Sequence, residues 1–92
     1  MTSKETRRKP ARETATTDSQ EKLLTLHNDE VHTFDYVIQA LVDICGHDHL
    51  QATQCTLIAH YKGKCGIKQG EYDKLKAMKD ALTELELKVT IE

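Results

Sequence analysis

The stretch Leu85-Glu86-Leu87-Lys88-Val89-Thr90-Ile91-Glu92 decides the fold. Four aliphatic residues alternate with four polar ones, the period of a β-strand with one face on a core and the other in water. A strand of that kind belongs to an antiparallel sheet covered on one side, and the cover has to come from the rest of the chain. Working back, Tyr72, Leu75, Met78 and Leu82 recur at helical spacing behind Gly70, which permits a turn. Before them, Cys65 and Ile67 alternate with Lys64, Gly66 and Lys68, so Cys65 to Gln69 reads as a second strand.

Further back, Asp48 with Gln51 three residues on forms a capping box. It opens a helix whose apolar positions are Ala52, Cys55, Leu57, Ile58 and Ala59, and Gly63 ends it. The small Ala52 and Ala59 let this helix approach a neighbour closely. Thr33 caps an earlier helix with Phe34, Val37, Ile38, Leu41 and Ile44 on one face, Asp35 at the positive end of its dipole and Gly46 behind it. Lys22 to His27 is a first strand, with Leu24 and Leu26 on one face. The order is β-α-α-β-α-β, and the expected class is α+β: a sandwich in which helices pack on one side of a small antiparallel sheet.

The 92 residues allow one domain, and the first twenty stand apart from it. From Met1 to Gln20 there is no Leu, Ile, Val, Phe, Tyr or Trp, so the segment buries too little to offset its ordering entropy and is expected to be a disordered extension, residues 1–20, ahead of a domain at 21–92. The extension carries a net +2 and every Arg of the chain, against −4 for the remainder. So short a basic run, diluted with Thr and Glu, does not point to nucleic acid. No apolar stretch approaches membrane-spanning length, and the extension lacks the apolar middle of a secretory signal. A soluble, cytoplasmic monomer is expected.

Cys45, Cys55 and Cys65 make an odd count without a close pair, which fits reduced, buried or half-buried thiols rather than a disulfide framework. Cys45, His47 and His49 alternate with other residues but no second pair at zinc spacing joins them, so neither a metal nor a cofactor is expected. No Ser or Cys stands beside a base at catalytic spacing and no glycine loop cradles a phosphate, so no enzyme is expected.

Between the first strand and the first helix lies Leu26-His27-Asn28-Asp29-Glu30-Val31-His32-Thr33-Phe34. Judged by their own types, Asn28 and Asp29 shape a turn. The same junction also suits the gathering of acceptors around a small cationic group, because strand end and helix start are held by packing while their side chains point outward.

Asn28-Asp29-Glu30, then a helix, then Ala52-Thr53-Gln54, then His60-Tyr61-Lys62-Gly63-Lys64 and Cys65-Gly66 resemble the ClpS family, bacterial adaptors that deliver N-degron (N-end rule) substrates to the Clp AAA+ protease. The resemblance spans residues 22–92 and implies the same α+β sandwich behind an unstructured extension. It also implies that Asn28, Asp29 and His60 bind the α-amino group of a substrate. An α-amino group has a pKa near ~8, so at neutral pH it is largely an ammonium with three donors seeking three acceptors. Taken alone, His60 reads equally as a helix-end imidazole satisfied by solvent or by a carbonyl.

Beside the amine, the resemblance implies an apolar pocket for an N-terminal Leu, Phe, Tyr or Trp, lined here by Phe34, Thr56, Ala59 and Leu87. Phe34 and Thr56 stand where the family often has Met, and Ala59 where it has Val. Glu30 replaces an Asp, and His32-Thr33 replaces Thr-Pro, so Glu30 and His32 form an altered rim facing the substrate backbone. The partner that the resemblance implies is the N-terminal domain of a Clp AAA+ unfoldase of ClpA or ClpC type, docked on the third helix and the strand before it, with Lys74 at the contact. The altered pocket leaves a second function open: a ClpS-like module that docks on the unfoldase and modulates it without reading N-degrons.

Overall fold

Leu24 and Leu26 are fully buried in the middle of β1 (Glu21–His27), and everything else is arranged to cover them. The computed structural model describes residues 21–92, and the extension expected at 1–20 lies outside the described residues. Five further elements follow: α1 (Phe34–Cys45), α2 (His49–Lys62), β2 (Lys64–Glu71), α3 (Tyr72–Glu84) and β3 (Val89–Ile91). The strands form one antiparallel sheet in the order β2-β1-β3, so β1 is central. The α+β sandwich and its element order are as expected.

The caps read from the sequence are present. The Thr33 hydroxyl accepts from the Tyr36 N–H at 3.1 Å, and Asp48 accepts from the Gln51 N–H at 2.7 Å. Gly46 and Gly63 close their helices at φ 72° and 96°, a region that costs a residue with a Cβ. The buried side of α1 is Val37, Ile38, Ala40, Leu41 and Cys45; that of α2 is Ala52, Cys55, Thr56 and Ala59. Those small residues let α2 lie close to the core, while Leu57 and Ile58 face outward. Leu75 and Leu82 of α3, with Leu87 and Val89, complete the core.

Two boundaries differ from the sequence reading by more than one residue. The strand expected over Leu85 to Glu92 is regular only from Val89 to Ile91. Its first half ends α3 instead: the Glu86 N–H reaches Thr83 O at 2.8 Å, the Leu87 N–H reaches Leu82 O at 3.1 Å, and Glu86 turns left-handed at φ 66°. This pair of bonds is a Schellman motif, which brings an apolar residue after the cap onto one in the last turn, here Leu87 and Leu82. Leu85 and Leu87 therefore alternate for a reason unrelated to a strand. In the second case Gly70 makes no turn. It pairs with Lys22, and β2 runs on to Glu71 before α3 begins at once.

A bulge fixes the join of helices and sheet. Leu24 pairs with Lys68 and Thr25 with Gly66, leaving Ile67 unpaired between them. The Ile67 carbonyl accepts from Nε2 of His47 at 2.7 Å, tying the α1–α2 loop to the sheet. His47 is buried, and its Nδ1 has no partner among the described residues.

Candidate functional site

Where β1 ends, two backbone bonds hold the chain: the His27 N–H reaches Lys88 O and the Asn28 N–H reaches Gly63 O, both at 2.9 Å. The first ties the end of β1 to the segment before β3, the second to the end of α2. Between them and the start of α1 opens a small depression. Its wall is apolar, built from Leu26, Phe34, Val37, Ala59 and Thr56. Thr56 belongs to that wall despite its type, because its hydroxyl donates to Ala52 O at 2.8 Å within α2.

The lip is polar. Asn28, Asp29, His32 and His60 stand around it. Asn28 Nδ2 donates to Glu30 Oε2 at 2.6 Å, so the amide nitrogen is engaged, while its carbonyl oxygen has no partner among the described residues. Asp29 Oδ1 accepts from the Val31 N–H at 2.7 Å and the His32 N–H at 3.1 Å, while Oδ2 meets His32 Nδ1. Burial opposes ionisation of Asp29, but the hydrogen bond from His32 and those from the two backbone N–H groups outweigh it, and the carboxyl sits below its ordinary value. It is therefore an anion at neutral pH. His60, exposed in the last turn of α2, packs its ring edge-to-face with Phe34 at 5.1 Å and with Tyr61 at 4.8 Å.

The structure thus brings Asn28, Asp29, His60, Phe34, Thr56 and Ala59 to one depression. Phe34 is 40% exposed and serves as wall rather than core. Leu87 does not line this depression: as the third residue past α3 it is folded into the core, and it borders a separate, open groove with Asn28, Lys79 and Lys88. Glu30 is exposed and acts on Asn28 rather than on the cavity. His32 is at the lip, turned to Asp29. Lys74 is exposed on α3, away from the site.

Leu26, Val37 and His27 line the depression without having been singled out for it. Val37 lies one helical turn past Phe34, a spacing that puts both on one side of α1. His27 donates or accepts through Nε2 with the Thr90 hydroxyl at 2.8 Å, a contact across the sheet that no local pattern foretells.

Among the described residues no group of three or more His, Cys, Asp or Glu side chains is placed to hold a metal ion, and no helix is long and apolar enough to cross a membrane. Cys45, Cys55 and Cys65 are free thiols. Burial pushes Cys45 up to about 11, a nearby Lys68 notwithstanding, and burial together with the Cys65 neighbour pushes Cys55 up to about 12.

The fold is similar to that of the solved Agrobacterium tumefaciens ClpS2 bound to L-phenylalaninamide. The TM-score is 0.74 at 19% identity, over 79% of this chain and 95% of that one. A comparison with curated proteins gave no match. Residues 17–90 match the sequence model of the family described as ATP-dependent Clp protease adaptor protein ClpS. With the match covering well over half of its length, the chain belongs to the ClpS family of Clp protease adaptors.

Proposed function

We propose that the protein binds the free N-terminus of substrate proteins that begin with a bulky apolar residue, and hands them to a Clp unfoldase for degradation. What carries this reading is the gathering of Asn28 Oδ1, the Asp29 carboxylate and the His60 imidazole on the lip of an apolar depression. An ammonium group needs acceptors and a negative charge, and the adjoining side chain needs a dry wall. Of the three polar contacts, the one to the Asp29 anion is the strongest, being charge-assisted. Phe34, Val37, Leu26 and the methyl groups of Thr56 and Ala59 take the guest side chain. Glu30 supports Asn28 by holding its amide nitrogen. The outer face of α3, including Lys74, is the docking surface for the unfoldase N-terminal domain, and the extension at 1–20 assists delivery.

The test is a labelled peptide beginning with Phe or Leu, compared with the same peptide acetylated at its N-terminus. Acetylation removes the charge and two donors, and binding is expected to be lost. Equal affinities would leave a fold that docks on the unfoldase without reading N-termini. Asp29→Ala should erase the preference for the free amine, and an intact preference would remove the carboxylate from the reading. His60→Ala removes one acceptor and should weaken the free-amine peptide while leaving the acetylated one unchanged.

A further inference from the structure

We infer that His32 is a positioning residue for Asp29: its Nδ1–H orients the carboxylate so that its remaining lone pair is presented to the substrate amine, a role that presupposes free-amine recognition at this lip. The two backbone N–H bonds, from Val31 and His32, both fall on Oδ1. They hold one oxygen of a group that presents ~four lone-pair sites. The imidazole takes one site on Oδ2, and a single acceptor direction is left. Removing the Nδ1–H frees Oδ2, and the acceptor is no longer fixed in direction.

The ring is itself anchored. It stacks on Tyr36 at 4.5 Å with the planes 9° apart, and the Tyr36 hydroxyl donates to Leu85 O at 2.9 Å. His32 and Tyr36 lie four apart on either side of the Thr33 cap, so the first turn of α1 sets their overlap. The chain of contacts runs from the end of α3 through Tyr36 and His32 to Asp29. The side chains of His32 and Asp29 are 15% and 8% exposed, and that shelter protects their bond from competing water. Asp29 ionises more readily than an ordinary carboxyl, burial notwithstanding, with the hydrogen bond from His32 the largest favourable cause, and this agrees with the geometry.

Two substitutions separate the hydrogen bond from the stacking. His32→Phe keeps a ring on Tyr36 and removes the donor; His32→Asn loses the ring, but its side-chain N–H reaches the position of Nδ1. In the full chain, with folding checked by circular dichroism, affinities are measured for a Phe-initiated peptide and its acetylated form. His32→Phe should lose roughly tenfold for the free-amine peptide and leave the acetylated one unchanged, while His32→Asn stays within about threefold of the unsubstituted protein for both. The Asp29 carboxyl, followed by NMR, should titrate at higher pH in His32→Phe than in the unsubstituted protein and His32→Asn. A His32→Phe protein that keeps the full ratio of free to acetylated binding, weakens both peptides alike, or leaves the Asp29 titration unmoved overturns the positioning role alone. An unsubstituted protein without any preference for the free amine overturns the recognition reading and this role with it.

Discussion

In the turn from β1 to α1, one oxygen of Asp29 caps two backbone N–H groups and the other meets the His32 ring, yet the side chain still faces the depression. Shaping a turn and serving a ligand are therefore not competing uses of this residue. The bonds that make the turn also hold the anion in place, and they have a cost in acid. Because Asp29 ionises more readily in the folded chain than in the unfolded one, its charge contributes stability that is fully present above the ordinary value of 3.8 and is lost as pH falls through the lower folded value. Asp29→Asn keeps an oxygen for the backbone N–H groups and removes the charge. Urea midpoints of the two proteins are expected to differ at neutral pH, to approach each other as pH falls below 3.8 and to converge only below the lower folded value; a gap that persists there would assign the effect to shape instead of charge.

At the scale of elements, the ends decide more than the middles. Asp48 carries the start of α2, and Asp48→Ala is expected to cost about 1 kcal/mol in chemical denaturation, with no change in peptide binding. The end of α3 is the opposite case. Glu86 occupies the left-handed position of a Schellman motif, where a Cβ is penalised by roughly 1–2 kcal/mol, so Glu86→Gly should raise the unfolding free energy by about 0.5–1 kcal/mol after the added freedom of the unfolded chain is deducted. A loss of stability on that substitution would mean that Glu86 makes contacts beyond its backbone. The same motif explains why Leu85 and Leu87 imitate a strand. One is the cap, and the other folds back on Leu82.

For the molecule as a whole, the core is small, and its thiols are part of it. Cys45 and Cys55, held up near 11 and 12, remain protonated at neutral pH. In the native protein both should resist iodoacetamide, while the half-buried Cys65 is alkylated first; mass spectrometry of digests gives the order. Rapid alkylation of Cys45 or Cys55 would show that the α1–α2 layer opens from the sheet.

The helices, their caps at Thr33 and Asp48, the glycine stops at Gly46 and Gly63, and the β-α-α-β-α-β order were all determined by the sequence, because each depends on residues within a few positions of one another. The motif resemblance also named Asn28, Asp29, His60, Phe34, Thr56 and Ala59 together. What only the tertiary structure decided were relations across long separations. The bulge at Ile67 answers to His47 twenty residues away, and the Tyr36 hydroxyl answers to Leu85 forty-nine away. Leu87 was drawn into the core by the way α3 ends, and His32 became the partner of Asp29 because α1 starts where it stacks on Tyr36. Local periodicity specifies which face of an element is apolar; which side chain that face meets depends on how the elements pack.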